Sequence, residues 1–403
     1  MLLLAVVGEL TDTSGLTSSG TFGAMLRLGI PIMLAGLGGL FAERAGVVNI
    51  GLEGMMTLGT WFAAWAGYQW GPWPAVVAGI IGGLLGGLLH AVATVTFGVD
   101  HVISGVALNI LAAGTTRYLS SLFFVDVGGS VSNSPSIKRE GVWDIPQLDL
   151  PFLSGGELFG WTSPDVLGWF ERRNWLFVSD VAGLLSGLTR DVSMLAVIAI
   201  ALVPLSAWVL WRTKFGLRLR SAGENPDAAD SLGVSVYTMK YAGVLISGGL
   251  AGLGGVILVV DSANLYKEGQ VAGRGFIGLA ALIFGNYRPT GVAAGAGLFG
   301  YADGLQLRSS IDGGSSVHAL LLFVAIAAAL VGVFAIVQQR QRLAIGAIAA
   351  GAMFALWYFT VDRVPSHLVT ATAPVVTLVV LVVASQRLRP PTFDGVPWRK
   401  GGH

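Results

Sequence analysis

The sequence contains no cysteine and few charged residues. None of its 403 residues is a cysteine, which excludes disulfide bonds, thiolate catalysis and cysteine-ligated metals. Asp, Glu, Lys and Arg together make up only 12% of the chain, against about one quarter in an average soluble protein. So few charges cannot cover a globular surface of this size. We therefore expect most of the surface to face lipid.

Basic patches and catalytic groupings are also missing. The net charge is +1, and Lys and Arg are scattered over loops, so we expect no nucleic-acid partner. No lysine follows a glycine, which excludes a Walker A phosphate-binding loop, and any ATP hydrolysis has to come from a partner protein. The histidines show no metal-site spacing, and no nucleophile with its base can be assembled. The chain is not expected to be an enzyme or to bind a metal or cofactor.

Long apolar runs are abundant. Hydrophobic residues make up 54% of the chain, and stretches of about 20 apolar residues, each able to cross roughly 30 Å as a helix, recur along its length. The shorter alternating segments of a membrane β-barrel are missing. The sequence therefore predicts an all-α, polytopic membrane protein with ten or eleven spans. The predicted spans are 22–40, 47–69, 73–97, 102–122, 192–211, 241–260, 275–286, 290–307, 318–337, 343–360 and 366–385.

Basic residues in short loops predict the orientation. Lys and Arg are retained on the cytoplasmic side, and their distribution places the 212–240 loop and the C-terminus inside and the N-terminus outside. Segment 123–191, rich in Trp, Pro, Gly and Ser, is too long for a simple linker and is predicted to form a small outer cap. The run 275–286 is either a full span or a re-entrant helix. The predicted regions are an outer segment 1–21, a transmembrane core 22–337, additional spans within 338–385 and a cytoplasmic tail 386–403.

Glycine is frequent within the apolar runs. Of the 58 glycines, several lie four residues apart in GGLLGG at 82–87 and in SGGLAGLGG at 247–255. Small residues at this spacing let helix backbones approach closely in lipid, where no hydrophobic force draws helices together. We expect tight helix packing at both stretches.

One polar stretch, GENPDAADSLG at 223–233, interrupts two apolar runs. Asn225 is a good N-cap, and Pro226 suits the first helical position. Asp227 complements the positive end of a helix, and Gly233 can close it in a left-handed conformation. The stretch predicts a two-turn helix. Its residues alone leave two roles open, an ordinary loop helix or a docking element.

Three sequence blocks resemble one protein family. The first, TKFGLRLRSAGENPDAADSLGVSV, resembles the cytoplasmic coupling loop of ATP-binding-cassette (ABC) importer permeases for branched-chain amino acids, ribose-type sugars and nucleosides. The second, FAERAGVVNIGLEGMM at 41–56, is more similar to the nucleoside and simple-sugar branch. The third comprises GRGFIGLAALIFGNYRP at 273–289 and GLFGYADGLQLR at 297–308. The resemblance covers about residues 22–337, while the long 123–191 segment and the spans after 340 depart from the family pattern.

The resemblance implies a permease subunit of an importer in a bacterial inner or plasma membrane. It implies a second permease chain in a heterodimer, a cytoplasmic ABC ATPase that binds ATP and Mg²⁺, and an extracytoplasmic substrate-binding lipoprotein. ATPase closure would move the short helix and drive alternating access for nucleosides or related simple sugars. The residues expected to couple to the ATPase are Gly223, Glu224, Asn225, Pro226, Asp227, Ala228, Ala229, Asp230, Leu232 and Gly233.

Glu53 and Asn49 are the first candidates for the translocation pathway. An ionised carboxylate in mid-bilayer costs roughly 3 kcal/mol on insertion scales, so such a group faces a cavity or a partner. The two residues are four apart and are predicted to share one face of the second span, where GVVNIGLEG can interrupt the helix. Two roles stay open for Glu53, which either lines the pathway or pairs with a basic residue such as Arg44.

Asn109, Asp303 and Gln306 are the next candidates for the pathway lining. Interhelical hydrogen bonding is the alternative role for these polar side chains.

The sequence leaves three alternative functions open. An ion-coupled secondary transporter would use Glu53 and Asp303 as ion sites in broken helices. A permease of the same family for branched-chain amino acids would have the same architecture. A structural membrane scaffold would leave Glu53 and Asn49 unexplained.

Overall fold

Helices dominate the architecture. The computed structural model describes residues 1–137, 144–173, 175–361, 364 and 388–401, so the predicted span 366–385 lies outside the described residues. The first helices are α1 (Leu2–Leu10), α2 (Ser19–Arg44), α3 (Leu52–Trp70), α4 (Pro72–Ala91), α5 (His101–Phe123), α6 (Val166–Glu171) and α7 (Val178–Thr189). The later helices are α8 (Met194–Arg212), α9 (Lys214–Glu224), α10 (Pro226–Ser231), α11 (Val236–Ile257), α12 (Arg274–Phe284), α13 (Pro289–Asp312), α14 (Ser315–Val337) and α15 (Gln341–Thr360).

Strands within the described ranges are only two residues long. They are β1 (Gln147–Leu148), β2 (Glu157–Leu158), β3 (Trp161–Thr162) and β4 (Val192–Ser193). Strands β2 and β3 form an antiparallel pair in which Glu157 lies opposite Thr162. The all-α prediction is confirmed.

Seven of the described helical segments are long and apolar enough to cross a membrane, by length and composition. These segments are Ser14–Arg44, Pro72–Thr96, His101–Phe123, Met194–Arg212, Val236–Ala263, Ser315–Val337 and Gln341–Thr360. Two of them include a π-helical extension, Val92–Thr96 after α4 and Leu258–Ala263 after α11. This confirms a polytopic helical membrane protein.

The remaining predicted spans differ from these seven. Helices α3 and α13 are long enough to cross a membrane but are more polar than these seven segments. Helix α12 has 11 residues and so extends about 16 Å, roughly half of a hydrocarbon core. The predicted second span, 47–69, begins only at Leu52, because Val47–Gly51 is not helical.

The chain divides into two compact units. The first comprises Met1–Leu28, Leu148–Val192 and Phe299–Val376, and the second comprises Gly29–Gln147, Ser193–Leu298 and Thr377–His403. Helices α2 and α13 each contribute one part to either unit.

In the first unit, α14 and α15 lie side by side. A Cβ on Gly332 of α14 would lie 2.6 Å from Ile348 Cγ1 of α15, so small residues allow the two helices to approach closely. Val7, Leu16, Leu305 and Ala319 form a buried apolar cluster of this unit.

The described part of the long 123–191 segment is folded. Asp165 caps α6 by accepting a hydrogen bond from Gly168 N at 2.8 Å. Ser154 Oγ donates to the Thr189 carbonyl at the end of α7 at 2.9 Å. Polar side chains thus satisfy helix ends and hold this segment in a defined shape.

In the second unit, helices α2, α3, α5 and α11 contribute to a buried apolar cluster that includes Ala35, Met55, Leu108 and Ala251. A Cβ on Gly83 of α4 would lie 2.1 Å from the Gly248 carbonyl oxygen of α11. The predicted tight helix packing at both glycine stretches is therefore confirmed, since the two backbones are in direct contact.

Candidate pathway and coupling sites

The chain between α2 and α3 forms an irregular segment, residues 45–51, which we call the break. Gly46 has φ +80, a left-handed conformation that favours glycine. Backbone amides bond back to the last turn of α2, with Gly46 N donating to Glu43 O at 2.9 Å and Val47 N to Ala42 O at 3.0 Å. The helix therefore ends here with its carbonyls satisfied.

Side chains from three other helices bind the backbone of the break. His101 Nδ1 accepts a hydrogen bond from Val48 N at 3.2 Å, and His90 Nε2 lies 3.1 Å from Val48 O. Lys240 Nζ donates to Gly46 O at 3.2 Å, although Lys240 is only 3% exposed. Irregular backbone inside a membrane protein persists only where protein groups replace water, and these three side chains do so. Sequence reasoning found no metal-site spacing for the two histidines and missed this role.

Asn49 lies in the break and is fully buried. Its Nδ2 donates to Ser247 Oγ of α11 at 2.8 Å, and its Oδ1 has no hydrogen-bond partner among the described residues. The predicted helical pairing of Asn49 and Glu53 on one face is wrong, because α3 starts at Leu52 and Asn49 precedes it. Asn49 instead ties the break to α11.

Glu53, in the first turn of α3, binds the start of α12. Its Oε1 accepts a hydrogen bond from Gly273 N and its Oε2 from Gly275 N, both at 2.8 Å. The first amides of a helix lack partners within the helix, and a carboxylate complements their partial positive charge. The alternative role left open for Glu53, pairing with Arg44, is not observed, because Arg44 lies 3.7 Å from Glu224 and donates to Tyr287 O at 2.9 Å.

Asn109 of α5 also binds the break and the first turn of α3. Its Oδ1 accepts from Gly54 N at 2.7 Å, and its Nδ2 donates to Ile50 O at 3.0 Å. The interhelical alternative is therefore the one observed for Asn109. Asn49, Glu53 and Asn109 all hold the break and the first turn of α3 in place.

Asp303 and Gln306 lie on α13 in the first unit, and both are half-buried. Within the described part of the chain, no group of three or more His, Cys, Asp or Glu side chains could hold a metal ion.

The second candidate site is the turn from α9 to α10. Asn225 Oδ1 accepts from Ala228 N at 3.0 Å, Pro226 is the first helical residue, and Gly233 has φ +80. The predicted capped helix is thus confirmed residue by residue. The preceding helix, α9, is capped by Thr213. The sequence analysis did not predict it.

The ten predicted coupling residues divide into an inner and an outer set. Pro226 and Ala229 are buried, whereas Ala228 is exposed and Leu232 is 85% exposed. Gly223 lies against the end of α2, where a Cβ on it would be 2.4 Å from Arg44 O. The turn thus presents an apolar tip outward while its base contacts α2.

Apolar spans around a clamped irregular segment, with a short exposed helix between two spans, define a multi-pass membrane permease. The family model of the branched-chain amino acid transport system permease component matches residues 21–308, and the chain belongs to this family. It is an integral protein of the cell membrane, and it is a permease subunit of an ABC importer rather than an enzyme. Permeases of this family work with an ATPase and a substrate-binding partner.

Several named relatives are similar over most of their length. The chain is 36% identical to the guanosine ABC transporter permease protein NupQ of Bacillus subtilis, covering 72% of this chain and 82% of the relative. It is 36% identical to the nucleoside ABC transporter permease protein NupC of Lactococcus lactis, covering 68% and 78%. It is 31% identical to the putative glucose ABC transporter permease protein TsgC13 of Haloferax volcanii, covering 72% and 78%. No solved structure gives a significant match.

Proposed function

We propose that this permease imports nucleosides. The relatives at 36% identity are described as guanosine and nucleoside permeases, whereas the relative described as a glucose permease is 31% identical. A simple sugar is the second candidate substrate, because a nucleoside and a sugar share a polyhydroxylated ring. Branched-chain amino acids are the third, and uptake assays with all three classes discriminate between them.

The exposed, capped α10 carries the coupling part of the proposal. A separate ABC ATPase, which binds ATP and Mg²⁺, receives the tip of α10 at Leu232 and moves it when nucleotide binds. The base of the same turn contacts Arg44 at the end of α2, so movement of α10 reaches the break. The break and the α12 half-helix held by Glu53 then change position, and Asn49 is a further candidate for the pathway lining in this unit. Asp303 and Gln306 of the first unit are separate candidates for the lining.

The proposed assembly has three further components besides lipid. A second permease chain, different in sequence, completes a heterodimer, and an extracytoplasmic lipoprotein delivers the substrate. The long 148–192 part of the first unit is the candidate contact for that lipoprotein, since it is predicted to lie outside the membrane.

Copurification and uptake test the proposal together. The chain is coexpressed with its candidate ATPase and second permease, and guanosine uptake into proteoliposomes is measured with and without ATP. Leu232→Arg should release the ATPase and abolish uptake, because a charge at the tip disfavours an apolar contact made through Leu232. Leu232→Met keeps an apolar tip and serves as the matched control. Normal ATPase binding by Leu232→Arg would contradict docking through α10.

An ionophore separates this proposal from ion-coupled transport through Glu53 and Asp303. ATP-driven uptake persists when the ion gradients are dissipated, whereas secondary transport stops. Both Glu53 oxygens already bind backbone amides, which favours a holding role over an ion site.

A further inference from the structure

The described C-terminal tail, residues 388–401, lies against the turn between α9 and α10. Phe393 N donates to Gly223 O at 3.0 Å. Thr392 donates to Glu224 Oε2 from its backbone N at 3.2 Å and from its Oγ1 at 3.1 Å. The tail thus binds groups at the C-terminal end of α9, where helix carbonyls lack partners within the helix.

Trp398 contacts α10 more directly. Its indole Nε1 donates to Asp227 Oδ1 at 2.7 Å, and its ring centroid lies 5.3 Å from that of Tyr237. The side chain also packs against a buried apolar cluster that includes Ala229 of α10 and Val236 of α11. Trp398 therefore joins α10 to the start of α11 through both a polar and an apolar contact.

Lys400 adds an ion pair to α10. Its Nζ lies 3.2 Å from Asp230 Oδ1. Because Lys400 is 68% exposed, this pair alone stabilises little, and Trp398 is the main contact.

Asp394 anchors the tail to the inner ends of other helices. Its side chain shares a hydrogen bond with Glu43 of α2 and lies close to Arg44, Lys240 and Tyr287. The tail backbone also fits closely over the break, since a Cβ on Gly46 would lie 3.2 Å from Phe393 O. One short peptide thus contacts α2, the break, α9, α10 and α11.

The tail leaves the tip of α10 open. Ala228, Ser231 and Leu232 are exposed, whereas the side chains of this turn that form hydrogen bonds with the tail are Glu224, Asp227 and Asp230. An autoinhibitory segment would cover the tip. The tail instead binds the side and the base of the α9–α10 turn and leaves its tip free. We call a segment with this geometry a brace, because it can hold the turn in place without blocking its tip.

We infer that residues 391–400 are a brace that fixes α10 to α2 and α11, so that displacement of the tip moves the helices instead of bending the turn. Trp398 is its principal positioning residue. The inference rests on the proposed function in one respect, that α10 receives the movement of an ATPase. The tail contacts that support α10 cannot be predicted from the sequence of the coupling loop itself.

Hydrogen exchange on the full chain in lipid nanodiscs tests the brace without any partner. In Trp398→Ala, peptides covering 224–233 should exchange several-fold faster than in the parent, while peptides covering 52–70 stay unchanged. Trp398→Phe keeps the ring contact with Tyr237 and loses the N–H donor, so its exchange should fall between the two. Equal exchange in all three proteins overturns the inference.

Coupling in the reconstituted complex is the second readout. Trp398→Ala should still bind the ATPase and hydrolyse ATP, but it should move several-fold less substrate per ATP. Trp398→Phe should restore part of this transport. Loss of a merely structural residue would instead lower ATPase binding and ATP hydrolysis as well. If a chain ending at Pro390 instead transports faster, the tail is an inhibitor and the inference is overturned. If the parent chain binds no ATPase while the exchange result holds, the proposed function fails and the brace stands.

Discussion

Glu53 illustrates how one carboxylate can hold a half-helix. Burying an ionised carboxylate is costly unless hydrogen bonds replace its hydration. Here both oxygens accept from amides at the start of α12, at 2.8 Å each. Gly275 permits this approach, because a Cβ on it would lie 2.5 Å from Glu53 N. The charge of Glu53 is therefore matched by the N-terminal end of α12, whose first residue, Arg274, also interacts with it electrostatically.

Replacing Glu53 by Gln should destabilise this contact. The Gln side chain has one carbonyl oxygen, so its NH₂ group faces a backbone N–H that is left without an acceptor. We expect a loss of about 1–3 kcal/mol in the free energy of unfolding, measured as a lower midpoint of thermal unfolding in detergent. Glu157→Gln, at an exposed position, is the matched control and should have no effect. A Glu53→Gln protein with parental stability and uptake would remove both the holding role and the pathway role.

Asp394 makes docking of the tail depend on pH. Burial raises the pKa of Asp394 from its ordinary 3.8 to about 7, against the lowering effect of Glu43, Lys240 and Arg44, and Tyr287 also faces this cluster. A carboxyl whose pKa is higher when docked binds more protons docked than free. Docking is therefore strongest at low pH, weakens as pH rises from about 4, and levels off above about 7.

Fluorescence quenching can measure this dependence. Ser231 lies one helical turn after Asp227, which binds Trp398, so a bimane label on Ser231→Cys reports docking of the Trp398 ring. The Trp398→Phe protein defines the quenching due to that ring. The docking constant should be larger near pH 6 than near pH 8.5. Asp394→Asn cannot titrate and should remove the difference; the same pH dependence in that variant would show that another group is responsible.

At the scale of elements, helix contact through glycine is the main packing device between α4 and α11. A Cβ on Gly252 would lie 2.5 Å from Gly79 O, whereas the nearest atom to a Cβ on Gly249, on the same helix, is 3.5 Å away. Helix propensity favours alanine at both positions, so their difference reports packing alone.

Gly252→Ala should therefore destabilise the protein and Gly249→Ala should not. Overpacking of a tight contact costs about 1–3 kcal/mol, and thermal unfolding of the two purified variants in the same detergent measures the difference. Equal midpoints for the two variants would show that α4 and α11 can separate without cost.

The short helix α10 was predictable from its own residues, whereas α9 and the tail contacts were not. Asn225, Pro226 and Gly233 act within four residues of their positions, so their cap and stop signals can be read locally. The partners of Trp398, by contrast, are about 170 residues away along the chain, since its bond to Asp227 spans 171 positions. No local pattern encodes such a pairing.

At the scale of the whole molecule, the membrane orientation is still a prediction from basic residues. The chain has no cysteine, so single-cysteine variants report topology without background. Ser231→Cys on α10 and Glu157→Cys in the long loop are both exposed positions. A membrane-impermeant maleimide should label residue 157 in intact cells and residue 231 only after permeabilisation. Labelling of residue 231 from outside would invert the topology and exclude coupling through α10.

The sequence by itself determined the solvent, the class and the local elements of this protein. Its scarcity of charge and its long apolar runs required a membrane, and its three blocks identified the permease family over residues matched by the family model, 21–308. These features are legible because hydrophobic length and helix caps depend only on neighbouring residues.

Only the tertiary structure decided which groups satisfy one another. Glu53 binds Gly273, 220 positions away, where sequence reasoning offered Arg44. Asn49 left the predicted helix because the break is held by side chains of α4, α5 and α11, and those contacts outweigh the local helical pattern. A buried polar group takes whichever partner the packed helices bring within hydrogen-bond distance, and that choice exists only once the chain has folded.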